Sequence, residues 1–261
     1  MLEYHPIDKV PRAFDHEMTQ LELGLRGVVK REFCSEAERT RALDAGWSIA
    51  LVQGGYDIET HSADIHHGKG AHHTVFIGSE GAVKDAKALE AIERRGHGDT
   101  RLDAIRALGA LLGYPSCCTE AYLSQHAQDE SASFNRLFIQ GPHIDALAGN
   151  NLFVLSHVLI SHFPCTMTCL RSAALARAGW TELAQKRPAD AEALQSLLQS
   201  PITVWDRYRF IIEHPISGPC APHRIEGDRR LLDHPPLSRF LEQLKDGYPP
   251  GGVRFEFKTM W

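Results

Sequence analysis

The sequence predicts an α+β protein, with a small mixed α/β N-terminal region packed on a predominantly helical, cysteine-bearing region. Three observations carry this expectation. Over residues 1–98, short β-branched and aromatic runs alternate with turn residues and helical patterns. Over 99–214, apolar residues recur at helical spacing almost throughout. Over 215–261, proline and glycine crowd the chain in GPCAPHR, DHPPL and YPPGGV, marking a C-terminal extension.

Along the chain, SEAE at 35–38 opens a short helix, with Ser35 as cap and carboxylates at its positive end. The run WSIALV at 47–52 reads as a strand, and Gly54-Gly55 as a turn into a second strand at 56–60. TVFI at 74–77 is a third, and AVKDAKALEAIERR at 82–95 a helix. Leu102, Ile105, Leu108, Leu111 and Leu112 make one apolar stripe, ended by Gly113. Pro115 and Ser116 start the next helix. Further helices are expected at 144–162, 165–178, 189–199 and 201–213, then a short one at 237–245 and a last strand at 253–257.

Composition narrows the class. With 43% apolar and 23% charged residues, the 261-residue chain resembles an ordinary soluble protein. A formal charge of −5 gives no overall basic footprint for nucleic acid. The N-terminal MLEYHPIDKV lacks a cationic segment followed by an apolar core, and LFVLSHVLISHF at 152–163 is too short to span a bilayer. The expectation is a cytoplasmic protein with a small-molecule substrate and neither nucleic-acid nor membrane partner. In that reducing compartment, clustered cysteines read first as metal ligands or catalytic thiols.

There are six cysteines, and four fall in two similar motifs, GYPSCC at 113–118 and HFPCTMTC at 162–169. In each a proline precedes the cysteines. A proline is suited to the first turn of a helix, which puts Cys117 and Cys118 at one helix start. By the same reading Cys165 and Cys169 lie one turn apart on one face of another helix. Helix N-termini carry about half a positive charge, which favours thiolates and anionic centres. Cys117, Cys118, Cys165 and Cys169 are therefore expected to face one shared site. Free cysteine is also a common core residue, and packing is the preferred reading for the isolated Cys34 and Cys220. A disulfide switch is disfavoured, since a bridge between neighbours is strained.

Zinc takes four tetrahedral ligands, often from cysteine pairs two to four residues apart. Cys165 and Cys169 fit that spacing and the adjacent pair does not. An iron–sulfur cluster tolerates more varied spacing, because its cysteines bind different iron corners. Three cysteines on a [4Fe-4S] cluster leave one iron open as a Lewis acid, whereas four close it. CTMTCLRS approaches the CxxxCxxC run of radical enzymes that use S-adenosylmethionine. However, Ser172 stands where the third cysteine belongs, and the segment lies in helical sequence.

The two motifs together resemble the paired GYPxCC and HxPCxxxC signatures of an uncharacterised prokaryotic family of unknown function, over roughly 100–215. The resemblance implies that Pro115, Cys117, Cys118, His162, Pro164, Cys165 and Cys169 are the pattern's core positions. It brings no assigned activity with it.

His162, three residues before Cys165, is the first candidate for ligand, acid/base or supporting donor. His157 points elsewhere on a straight helix. Glu120 and Arg171 are candidates for proton transfer and carboxylate binding, although both are ordinary on helix surfaces. His61, His66, His67, His72 and His73 fall within THSADIHHGKGAHHTVF and make a candidate second metal site. An incidental solvated loop explains them equally well. Gly68-Lys69-Gly70 lacks the rest of a phosphate loop. WDRYRF at 205–210 suits either an anionic planar ligand or a helix flank.

The leading expectation is a [4Fe-4S] enzyme acting on a small molecule by Lewis-acid chemistry of the lyase, dehydratase or desulfurase kind. The catalytic candidates would be His162, Glu120 and Arg171. A closed cluster serving electron transfer is the first alternative, and a structural zinc site the second.

Overall fold

The structure, a computed structural model, describes residues 5–6, 15–34, 36–52, 73–125, 143–149, 159–205, 210–214, 218–221 and 250–257. The fold is α+β, as the sequence predicts, and the chain divides into two compact units. One is continuous, Met18–Leu123, and the other combines Met1–Glu17 with Ser124–Trp261.

In the continuous unit, β2 (Val28–Cys34), β4 (His73–Gly78) and β3 (Ser48–Leu51) form an antiparallel sheet with β4 in the middle. Alternation along the strands sends successive side chains to opposite faces. Val29, Cys34, Val75 and Ile77 pack with Leu21 of α1 (His16–Glu22) and Ala42 of α2 (Glu36–Asp44). Val28 and Phe76 pack on the other face with Val83 and Ala86 of α3 (Glu80–Arg95). Leu108 of α4 (Gly98–Leu111) and Leu112 join that second core. Neither α1 nor β2 is among the elements the sequence predicts: in VVKREFC three consecutive charged residues separate the apolar ones, so there is no period-two strand signal.

Local chemistry fixes the helix ends. Ser79 caps α3, its Oγ accepting the Ala82 N–H at 3.4 Å, and Glu80 opens the helix while Arg94 and Arg95 close it. The buried Glu90 carboxylate on α3 is held by Lys30 of β2 at 3.2 Å and by Arg94 at 2.8 Å. A carboxylate buried without such partners would be costly. At the end of α4, Gly113 has φ +74°, the Tyr114 N–H bonds the Gly109 carbonyl and the Gly113 N–H bonds that of Ala110. These are the paired bonds of a Schellman C-cap, after which α5 (Ser116–Gln125) begins.

The second unit contains a mixed sheet in the order β1-β8-β7-β6-β9-β5. Its strands are β1 (His5–Pro6), β5 (His143–Ile144), β6 (Ile202–Val204), β7 (Phe210–His214), β8 (Gly218–Ala221) and β9 (Val253–Phe257). Two helices, α7 (Leu170–Lys186) and α8 (Pro188–Gln199), lie against each other, and the Trp180 Nε1–H donates to the Ala191 carbonyl at 3.4 Å. A short α6 (Ala146–Gly149) is wholly buried at Ala146, Leu147 and Ala148.

Several expectations are corrected. The helix at 201–213 is absent: the described parts of that stretch are β6 and β7. Ile202, Thr203 and Val204 are all β-branched, and their partners are Ile212, Ile211 and Phe210 on one side. On the other side they pair with Phe255, Arg254 and Val253, far along the chain. Short apolar runs do not reveal their period, and the ladder decides. The helix expected at 144–162 is only α6 among described residues, and 159–162 is not helical. The helix expected at 165–178 starts later and runs further, as α7. The strand at 56–60 and the helix at 237–245 lie outside the described residues.

Candidate metal centre

Cys117 and Cys118 sit in the first turn of α5. The Pro115 carbonyl accepts the N–H of Cys118 at 2.8 Å and of Thr119 at 3.0 Å, so the proline carries the first helical bonds without a donor of its own to satisfy. Cys118 is buried and Cys117 half-buried, with their Sγ atoms 3.9 Å apart. That separation is about twice the ~2.05 Å of a disulfide, so the pair is two thiols. The helix start is positioned by α4. A Cβ at Gly109 would come within 2.8 Å of Thr119 Oγ1, so glycine permits the close approach of α4 and α5.

The second motif differs from its expected form. Residues 165–168 are turn, not helix, and Cys169 is the N-cap of α7 with extended backbone. Cys165 and Cys169 therefore do not share a helix face. The chain is drawn out of helical form by its own anchors. Leu159, Ile160 and Met167 are buried, the Met167 carbonyl accepts the Asp145 N–H at 3.0 Å, and the Cys169 N–H bonds back to Thr166 at 3.2 Å. Cys169 then accepts the Ala173 N–H, which starts the helix. Its thiol makes no capping hydrogen bond.

Although one helix face became a turn, the sulfur atoms converge. The Sγ atoms of Cys117, Cys118, Cys165 and Cys169 all lie within 4.8 Å of one another, close enough to hold a metal. Cys118 and Cys169 are buried and Cys117 and Cys165 half-buried. Cys117 and Cys118 lie in the first turn of α5 and Cys169 caps α7, so three of the four cysteines stand at helix starts.

His162 is buried, and its Nε2 shares a 2.8 Å hydrogen bond with Ser172 Oγ on the first turn of α7. In the sequence Ser172 stands out only as the residue where a radical-enzyme run has its third cysteine. Its bond to His162 depends on the helix starting at Leu170 and not at 165, which the sequence pattern does not show. Glu120 is exposed on α5 and held by Arg106 of α4, at 2.7 Å to Nε and 3.2 Å to Nη2. The hydrogen bond from Arg106 lowers the pKa of its carboxyl from the ordinary carboxylate value. Arg171 is exposed at the start of α7.

Cys34 is buried in the sheet core, where burial, and after it the Glu38 charge, raises its thiol pKa, as a packing residue requires. Cys220 lies on β8, opposite His5 and Ile212. His61, His66, His67, His72 and His157 lie outside the described residues, and His73 begins β4 in register with Cys34. Trp205 follows β6, and a Cβ on Gly252 would meet its ring at 2.7 Å, so the indole lies against backbone; Arg207 and Arg209 lie outside the described residues. No described helix is long and apolar enough to cross a membrane.

Comparison with known proteins finds no matching family model, no match among curated proteins and none among solved structures.

Proposed function

We propose that the protein is a metalloprotein whose Cys117, Cys118, Cys165 and Cys169 bind one zinc ion as four thiolates. The observation that carries this reading is the mutual approach of the four sulfurs within 4.8 Å. At a Zn–S distance of about 2.3 Å, the edge of a tetrahedron is roughly 3.8 Å. The 3.9 Å between Cys117 and Cys118 matches that edge, and the wider pairs need only a small contraction. A cubane cluster binds each thiolate at a separate iron corner, so the same sulfurs would have to spread. Four thiolates leave no open position, which makes the centre structural and its binding energy part of the folding energy.

A second reading keeps the [4Fe-4S] enzyme and is favoured by one observation, the unequal burial of Cys117 and Cys118. If the half-buried Cys117 stays off the metal, three thiolates hold a cluster whose fourth iron supplies Lewis acidity to a small substrate. In that case His162 is the proton carrier nearest in sequence, with Glu120 and Arg171 as candidates for charge recognition. The cytoplasmic setting belongs to both readings.

Anaerobic purification with metal and acid-labile sulfide analysis separates them. Colourless protein with one zinc per chain, lost in Cys118→Ser and Cys169→Ser, supports the first. Brown protein with iron and sulfide overturns it in favour of the second. Protein holding neither metal above trace overturns both.

A further inference from the structure

We infer that the hydrogen bond between His162 and Ser172 positions Cys165 for the metal, so that these two residues set the affinity of the centre without ligating it. The inference rests on the metal reading above and assigns a role that cysteine spacing does not contain.

Three observations support it. Cys165 stands in a turn, so no helix of its own fixes its direction. The chain around it is anchored through Leu159 and Ile160 on one side and Met167 on the other, all buried. Between the first anchor and Cys165 comes His162, whose Nε2 is bound to Ser172 Oγ at 2.8 Å. Ser172 is fully buried and lies in the same first turn that Cys169 caps. In a helix the Cα–Cβ bond tilts toward the N-terminus, which aims the Ser172 side chain back toward the Cys169 end. The bond therefore ties the approach to Cys165 directly to the turn carrying Cys169, fixing one ligand relative to another.

The energetics favour a persistent tie. A buried hydroxyl and a buried imidazole each lose water on folding, and an unmade bond between them leaves both short of a partner they had in solvent. Residues that orient ligands without touching the metal change affinity by about 10- to 100-fold when removed. An imidazole whose Nε2 is engaged by the Ser172 hydroxyl is held in one orientation, which is the property a positioning group needs.

The test uses the full chain. Zinc affinity is measured by competition with a chelator of known affinity, for wild type, Ser172→Ala, His162→Leu and His162→Gln. The glutamine amide can reach Ser172 where the imidazole Nε2 did. Cobalt(II) is substituted in parallel, because thiolate-to-cobalt charge-transfer bands report the ligand set. Unfolding of the metal-free proteins is followed by circular dichroism as a control. Ser172→Ala and His162→Leu are expected to weaken zinc binding about 10-fold or more, with the shape of the cobalt spectrum unchanged. His162→Gln is expected to recover most of the affinity. Unchanged affinity in both Ser172→Ala and His162→Leu would overturn the inference, and so would equal losses in the metal-free control that account for the whole effect. A His162→Leu cobalt spectrum of altered shape would overturn it too, by making His162 a ligand. If wild type binds neither zinc nor cobalt, it is the metal reading itself that fails.

Discussion

Glu93 on α3 shows how a single side chain departs from its solution behaviour. Burial raises its carboxyl pKa, and the neighbouring Glu90 adds to the rise, against the opposing pull of Lys30, Arg101 and Arg94. A carboxyl whose pKa is higher folded than unfolded stabilises the fold only while protonated. Its contribution is fully present below the unfolded pKa and is lost as pH rises through the folded one. Replacing it by the neutral isostere removes that loss. Glu93→Gln is expected to raise the urea midpoint at pH 7 and leave it unchanged near pH 4. A series of midpoints from pH 4 to 7 checks this, and a variant curve parallel to wild type would contradict it. Glu120 behaves oppositely: Arg106 favours its charged form, but at a fully exposed position where solvent screening leaves little for stability.

At the scale of elements, the turn between α4 and α5 aims the first cysteine pair. Gly113 occupies the left-handed region, where an L-residue costs roughly 1 kcal/mol. A Cβ there would also stand 2.7 Å from the Leu25 carbonyl oxygen and 2.8 Å from Arg26 Cβ. Backbone oxygen cannot swing aside as a side chain can. Gly113→Ala is therefore expected to cost about 2 kcal/mol or more and to weaken metal binding by displacing the start of α5. Gly98→Ala is the control. It too has positive φ, +59°, but open space around its would-be Cβ, so only the backbone term of about 1 kcal/mol applies. Equal urea midpoints for the two variants would sink the argument. This turn was legible in the sequence because glycine after an apolar stripe and proline two residues later are local signals. The strands β6 and β7 were not legible. Thr203 pairs with Ile211 and with Arg254, and no window along the chain contains both.

For the whole molecule, the site was readable in composition before it was readable in shape. Two proline-led cysteine pairs in one chain suggested convergence, and the four sulfurs do converge. The route of the second pair was hidden, because the Asp145 N–H that holds Met167 out of a helix comes from a distant part of the sequence. That distance also has a thermodynamic consequence. The two cysteine pairs lie 47 positions apart, Cys118 to Cys165, so the unfolded protein offers all four thiols to one metal only transiently. An ion bound by the native state alone stabilises it by RT ln(1 + [L]/Kd), about 4 kcal/mol at a thousandfold excess over Kd. For a chain of this size each kcal/mol moves the thermal midpoint by roughly 2–4 °C, giving a total on the order of 10 °C. Removing the metal with a chelator is expected to lower the midpoint by that amount, and added zinc to restore it. Cys118→Ser protein should melt near the chelated midpoint and respond to neither reagent. Differential scanning calorimetry with and without chelator measures all three. A wild-type midpoint indifferent to chelation, in protein shown to have lost its metal, would mean that the centre contributes nothing to the fold and that its four thiolates serve chemistry instead.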